Sequence, residues 1–500
     1  MKKITVALIM ALILTFVFSC NEDNQTAQND SGGKPDVQGS QENPEATESE
    51  QEIITNNVPL DLKFDGRTFT VLSREELIFG REMGVEEENG DIVNDAVYKR
   101  NKTVEERFGI KINDVKIPGI WGKEASFNDT IRNSVNAGDN IYDLIAGYAY
   151  FITPLAAEGY LLDWGNVHYI ENTAPWWSSD IEKTMKLNGK LYFITGDLAL
   201  TFIENLQCMF FNGRIQNEYA VEDLYKLVLD GKWTYDKLFD ICKDIYSDVN
   251  GNAKKDEEDI YGLFSLYDGV NIEQMLISQN QPIAPIGDDG YPYLALKNEK
   301  TAKIVENIVN LLWENPGVYV VAGGTEYLHV KAFQSGKSLF MEGMIGYGEQ
   351  WLRGMEDNFG VLPHPKFDEV QDKYMGQSEM AFSLFCIPSI ADDYEFIGAV
   401  TDVLAAESYK QLTPVYYETS LKIKYARDDM TSQMIDIIRN GVKFDFGLLN
   451  SSSMQSGGIL ALFRELATNK NKNFISIYEK REAGFEKSLQ QLIDAYKEIN

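Results

Sequence analysis

The sequence predicts an α/β protein, on three observations. Short apolar runs of strand character alternate with helical periodicity from Thr68 to Gly147. About 440 residues follow a polar N-terminal stretch, more than one hydrophobic core usually supports, so two lobes or domains are expected. Apolar content of 44% and aromatic content of 12% suit a well-packed globular body.

The N-terminus is an address rather than part of that body. Lys2 and Lys3 precede an almost unbroken apolar run from Ile4 to Phe18, long enough for a signal-peptide core and short for a membrane span of about 20 residues. The run ends at Ser19-Cys20, and the chain then turns polar at once. This resembles a bacterial lipobox, so residues 1–20 are expected to be a lipoprotein signal with Cys20 as the lipidated residue. Residues 21–57 carry nine acids against the single Lys34, and almost no aromatic or large aliphatic side chains except Ile53 and Ile54. Such a segment cannot bury enough apolar surface to offset its chain entropy. It is expected to be a disordered acidic tether with an r.m.s. reach of about 35 Å. No later stretch approaches the roughly 18 apolar residues of a span.

Within the body, Thr68 to Leu72 reads as a strand, and Asn94 as the cap of a helix with Val97, Val104 and Phe108 on one face. Ile110 to Ile112 is a second strand, Asp129 to Val135 a helix, and Tyr142 to Gly147 a third strand ending in an aromatic turn, Tyr148 to Phe151. The rhythm predicts a mostly parallel sheet, and ligands of such sheets bind beyond the carboxyl ends of the strands. The chain closes with a helix carrying Phe485, Leu489, Leu492 and Tyr496 on one face.

Composition and motifs exclude several functions. A net charge of −31 argues against nucleic acid, because neutralising phosphates needs clustered Lys and Arg. The acids are spread along the chain, which reads as solubility. Beyond Cys20 three widely spaced cysteines remain, Cys208, Cys242 and Cys386, with no disulfide or zinc framework, so buried free thiols are expected. The three histidines, His168, His329 and His364, have no zinc-like partner at i+4, and no HExxH, GxSxG or CxxC is present. Gly336-Lys337-Ser338 looks like the end of a phosphate loop, but Lys331 stands where its first glycine belongs; the stretch reads as helix end, turn and entering strand. With no catalytic constellation, a binder is favoured over an enzyme.

One metal motif stands out. Asp248, Asn250, Asn252, Asp256 and Asp259 fall at positions 1, 3, 5, 9 and 12 of a loop, and Lys254 stands at position 7, which contributes a backbone carbonyl. This resembles an EF-hand-type Ca²⁺ loop, with Ala253 in place of the usual glycine and Asp259 in place of the usual Glu. A structural Ca²⁺ is expected; the alternative is a solvated polar turn between two helices.

Several passages in order resemble the extracellular solute-binding proteins of the maltose-binding type, family 1 of the lipoproteins that serve bacterial ABC sugar importers. They are Glu88 to Asn101 leading into Val104-Glu-Glu-Arg-Phe108, Tyr142 to Gly147 followed by Pro154 to Trp164, and Pro175-Trp176-Trp177. Gly189 to Asp197, Gly231-Lys-Trp-Thr234, Lys331 to Met341 and Phe359 to Lys366 continue the series. The resemblance runs from about residue 65 to the C-terminus. It implies a two-lobed periplasmic-binding-protein-like α/β fold, with hinge strands and a ligand cleft between the lobes. The first lobe would take residues 58–155 and 378–425, the second 156–377 and 426–500. It further implies capture of a mono- or oligosaccharide, delivery to ABC importer permease subunits, and a monomer anchored outside the cytoplasm. A surface glycoside hydrolase and a non-transport adhesion protein are the competing readings.

A sugar presents apolar C–H faces and a rim of hydroxyls, so its site needs aromatic platforms with carboxylates and amides. By the resemblance the position after the third strand falls on Tyr148, with Tyr150 and Phe151 beside it. Trp176 and Trp177 are adjacent, so on a regular element only one would face a given side. Asp197 and Glu204 flank the segment that resembles a hinge crossing, and Tyr347, Glu349 and Trp351 follow a strand around Leu339 to Met341.

Overall fold

The computed structural model describes residues 56–267, 269–321, 327–421, 429–454 and 458–499. The signal peptide, Cys20 and the tether as far as residue 55 lie outside the described residues. Among the described residues no helix is long and apolar enough to cross a membrane.

The described strands are β1 (Thr68–Arg74), β2 (Lys111–Ile117), β3 (Leu144–Tyr148), β4 (Gln207–Asn212), β5 (Tyr246–Ser247), β6 (Ile260–Leu266), β7 (Val318–Val321), β8 (Ser338–Met344), β9 (Phe359–Leu362) and β10 (Ser383–Cys386). They build two sheets. The first has the order β10-β3-β1-β2. β1 runs parallel to β2 and β3, and β10 is antiparallel to β3 with Ser383 opposite Tyr148. Phe69, Val71 and Leu72 are all buried, the near-continuous apolar run of a parallel strand covered on both faces. The second sheet, β5-β6-β8-β4-β9 with β7 on β6, is mixed: β6 is parallel to β7 and β8, while β4 is antiparallel to β8 and β9.

The helix between β1 and β2 spans Ile92–Phe108, and its cap lies three residues before the predicted one. Asp91 is the cap: its carboxylate accepts from the Asn94 N–H at 2.9 Å, and an anion suits the positive helix end. Asn94 instead donates from its side chain to the Glu87 carbonyl at 2.9 Å. Val97, Val104 and Phe108 are buried as their spacing requires. Helix Glu124–Ala137 precedes β3, and the last helix, Phe474–Glu498, buries Phe485, Leu489, Leu492 and Tyr496. The stretch that mimics a phosphate loop is helix Leu328–Gln334, a turn at Gly336 (φ +68°) and β8; Lys337 pairs with Glu258. Cys208, Cys242 and Cys386 are free and buried.

Two segments run side by side between the sheets. Ile194 bridges Phe385 next to the first sheet, and Leu206 bridges Ser378 next to the second. Gln207 N–H donates to the Gln377 carbonyl at 3.0 Å, Glu379 N–H to the Asn205 carbonyl at 2.8 Å, and Thr195 Oγ1 to the Ser383 carbonyl at 3.0 Å. The main apolar core is continuous across both sheets, and a small second cluster, Tyr261, Phe264, Val321 and Ala332, lies at the β6–β7 side of the second sheet.

Candidate ligand site

The carboxyl ends of β1 and β3 place Arg74 and Tyr148 together. The Arg74 guanidinium is buried; Nη1 donates to the Ala381 carbonyl at 2.8 Å and Nη2 to Ser383 Oγ at 2.9 Å. It lies 3.9 Å from the Phe79 ring centroid and 5.1 Å from that of Tyr148. Burial pushes the Arg74 pKa down to about 10, against the opposing pull of nearby carboxylates led by Glu82. Burial likewise pushes the Tyr148 hydroxyl up, and the charge of Glu379 adds to it.

From Tyr148 the chain turns at once into helix Ala149–Ile152. Gly147 permits this, since a Cβ there would stand 2.6 Å from the Ile152 side chain. The turn packs a row of rings edge to face: Tyr148 and Phe151 are 5.1 Å apart between centroids, Tyr150 and Phe151 4.7 Å. Trp121, 71% exposed, extends the row at 5.3 Å from Phe151 and 6.1 Å from Tyr150. Sequence reasoning missed Trp121, which lies in a loop with no periodicity to flag it.

The second sheet supplies a cavity of about 180 Å³ at the carboxyl ends of β6 and β8 and the start of β4. Gln207, Asn271, His329, Glu342, Tyr347, His364 and Glu379 give it polar walls. Glu342 accepts from Ser265 Oγ at 2.7 Å and from Asn271 Nδ2 at 3.1 Å. Burial lowers His329 to about 4 and His364 to about 3, so both imidazoles are neutral near pH 7. The Nδ1 of each is buried with no hydrogen-bond partner among the described residues, which leaves two polar groups for a ligand to satisfy. Glu379, on the returning segment, lines this cavity and also acts electrostatically on Tyr148 and Arg74. It therefore ties the cavity to the aromatic row. Of these polar walls, sequence reasoning foresaw Tyr347 alone; the other residues come from distant parts of the chain and carry no motif.

Arg81 spans the junction. Its Nη2 pairs with Glu204 and, at 3.3 Å, with Glu349 in helix Tyr347–Gln350. Burial drives the Glu204 carboxyl up to about 7, with Arg81 opposing it. Trp351 is half-buried, its ring 4.8 Å from that of Tyr327. Tyr347 sits 6.5 Å from the His329 ring. Glu204 and Glu349 thus meet at the junction, with Tyr347 on the same short helix as Glu349.

Trp176, Trp177 and Asp197 lie elsewhere. Both tryptophans are buried, and both indole N–H groups donate to Asp402 Oδ1 at 2.9 Å. Adjacent residues reach one oxygen because the segment is a turn with a single bridge, Trp177 to Gly196, and not a regular element. Gly196 is required there: a Cβ would stand 2.0 Å from the Trp176 carbonyl oxygen. Asp197 is buried and paired with Arg439 at 2.6 Å. Trp177 and Asp197 line a separate cavity of about 340 Å³ that shares no lining residue with the first.

The candidate calcium loop joins β5 to β6, two antiparallel strands, so strands and not helices flank it. Asp248 accepts from the N–H groups of Gly251 (2.8 Å), Asn252 (3.3 Å) and Ala253 (2.8 Å). Ala253 takes φ +58°, the left-handed conformation for which glycine is the usual residue. Asp259 is fully buried; its Oδ2 accepts from Tyr246 Oη at 3.1 Å, and its Oδ1 has no partner among the described residues. Asn250 and Asn252 turn their amides onto Asp256. Among the described residues no three His, Cys, Asp or Glu side chains are gathered as a metal site. The hard oxygen donors and the orphaned Asp259 oxygen fit Ca²⁺.

No family model and no curated protein sequence matches the chain. Solved structures do. A cyclo/maltodextrin-binding protein complexed with maltotetraose is 13% identical, with 87% of this chain and 98% of that chain covered and a TM-score of 0.55. A cyclic α-maltosyl-1,6-maltose binding protein from Arthrobacter globiformis is 12% identical over 86% and 99%, with a TM-score of 0.56. An ABC transporter solute-binding protein from Thermotoga lettingae bound with α-D-tagatose is 14% identical over 85% and 100%, with a TM-score of 0.51. At these identities the likeness is one of fold. The chain has the two-lobed α/β fold of periplasmic sugar-binding proteins.

Proposed function

We propose that the protein is a receptor outside the cytoplasm that captures a mono- or oligosaccharide and delivers it to an ABC importer, without turnover. The observation that carries this reading is the junction itself. A row of aromatic rings at the end of β3 is tied through Glu379 to a cavity of amides, carboxylates and neutral imidazoles at the ends of β6 and β8. Rings suit the C–H faces of a sugar and the polar walls suit its hydroxyls. The similar proteins named above bind maltotetraose, a cyclic maltosyl-maltose and tagatose, which supports the same ligand class here. A thermal-shift screen of mono- and oligosaccharides should find a saturable rise in melting temperature, since a ligand of the native state stabilises it by mass action. Absence of any hit would sink the reading, and release of reducing sugar during incubation would make the protein a glycosidase.

In this reading the first crossing falls within residues 194–207, later in the chain than the expected boundary at 155/156, and the second within 376–386, around the expected boundary at 377/378. The protein acts as a monomer, anchored through lipid on Cys20. Cys20→Ser should then appear soluble in the periplasm or medium; retention on the membrane would overturn the anchor. The loop Asp248 to Asp259 holds a structural Ca²⁺ through Asp248, Asn250, Asn252, the Lys254 carbonyl, Asp256 and Asp259.

A further inference from the structure

The second cavity, beside Asp197, has a composition unlike the rest of the molecule. One wall is Trp177 and Ser178, from the turn that bonds to Asp402 in helix Tyr394–Glu407, with Ser179, Asp180 and Lys183 from helix Ser179–Met185 that follows it; helix Tyr394–Glu407 packs on Ile92–Phe108 beside the first sheet. The other wall is Arg439 to Lys443, at the end of helix Asp429–Asn440, which packs on β9 of the second sheet. The pocket therefore spans the junction of the lobes. Its volume of about 340 Å³ has room for about ten waters at ~30 Å³ each.

Its charged lining is Lys183, Lys373, Arg439 and Lys443 against Asp180 and Asp197, four cations to two carboxylates and so a surplus of two positive charges. The whole chain, by contrast, carries −31. Both carboxylates are already engaged. Asp197 holds Arg439 at 2.6 Å, and Asp180 accepts from Lys443 Nζ at 2.7 Å and from the Phe444 N–H at 2.9 Å. Lys183 and Lys373 are the surplus, exposed and without an ion pair among the described residues. Arg439 meets Asp197 through Nη2 alone, which leaves its Nη1 and Nε as donors. Ser178, Ser179 and Asn440 add neutral polar groups, and the Ser178 side chain makes no capping bond.

We propose that this pocket is a second ligand site, independent of the sugar cleft, that binds a small multivalent oxyanion with the chemistry of inorganic phosphate or sulfate. A lining with two more cations than carboxylates gives the pocket a positive potential, and a compact dianion with several acceptor oxygens answers both the charge and the donors. The two waiting lysines and the half-used guanidinium set the expected partner: tetrahedral, doubly charged and small enough for the pocket.

The test titrates the full-length protein with sodium phosphate, sodium sulfate and sodium chloride at matched ionic strength, following melting temperature and tryptophan fluorescence. Phosphate or sulfate should give a saturable response that chloride does not. Lys183→Gln with Lys373→Gln should weaken it by about tenfold or more, the scale of losing one or two charge-assisted hydrogen bonds. Both lysines are exposed, so the double variant should fold and keep the parent's sugar affinity. A chloride response equal to that of phosphate, or a double variant that binds phosphate like the parent, would overturn the site. A protein that bound phosphate but no sugar would sink the receptor reading and leave this one standing.

Discussion

At Asp402 one carboxylate oxygen receives two indole N–H groups, and the rings that supply them are buried. Truncating a buried aromatic costs about 3–5 kcal/mol, so Trp177→Ala should melt far below the parent without ligand. Tyr148 is half-buried at a strand end, and Tyr148→Ala should chiefly weaken sugar binding, by roughly 1–3 kcal/mol. Thermal melts paired with calorimetric titration separate the two; a Trp177→Ala protein that melts like the parent would remove the core assignment. Asp402 also makes stability depend on pH. Burial raises its carboxyl from 3.8 to about 6, with the two indoles opposing. A folded pKa above the unfolded one means that the native state holds the proton more tightly. The stability from this group is present below the ordinary carboxylate range and lost as pH rises through about 6. Asp402→Asn cannot titrate, so the parent should gain stability relative to the variant between about pH 7 and about pH 4. Denaturant curves over that range would contradict this if the difference stayed constant.

At the scale of elements, the hairpin loop between β5 and β6 carries its own prediction. Ca²⁺ should raise the melting temperature, with a dissociation constant of about 0.1–1 mM as in many extracellular calcium modules, and Asp248→Ala should abolish the effect. Ala253→Gly should stabilise the loop by up to about 1 kcal/mol, because its φ is positive and glycine reaches that region without Cβ strain. Equal melting in calcium and in chelator would dispose of the metal. The elements themselves were legible wherever periodicity reports burial: Val97, Val104 and Phe108 fixed one helix face, and Phe485, Leu489, Leu492 and Tyr496 another. The cap slipped from Asn94 to Asp91 because both residue types cap helices and only the fold shows which side chain reaches the free N–H. Tyr148 was readable as the residue after a strand. His329, Glu342, His364 and Glu379 were not, because strands far apart in sequence bring them together and no local pattern records that meeting. Trp176 and Trp177 misled for a related reason: an exposed platform and a buried donor pair have the same sequence.

For the molecule as a whole, the arrangement predicts closure around the ligand. The aromatic row belongs to the first sheet and the polar cavity to the second, and Arg81 already reaches from beside β1 to Glu349 beyond β8. A sugar bound as proposed would touch both walls only with the lobes close, so it would bind that form better and shift the population toward it. The shift is bounded by the differential affinity: moving from 1:99 to 99:1 needs about 10⁴-fold tighter binding to the closed form. Contacts from both walls are therefore required, and losing one wall should reduce closure as well as affinity. Small-angle scattering of the parent with saturating sugar should show a smaller radius of gyration than without it. Tyr148→Ala, which removes a ring from the first wall, should need more sugar to reach the same compaction. Asn271→Ala, which removes an amide from the second, should do likewise. Saturating binding with an unchanged radius of gyration would mean a rigid receptor, and normal compaction in both variants would mean that the sugar sits elsewhere.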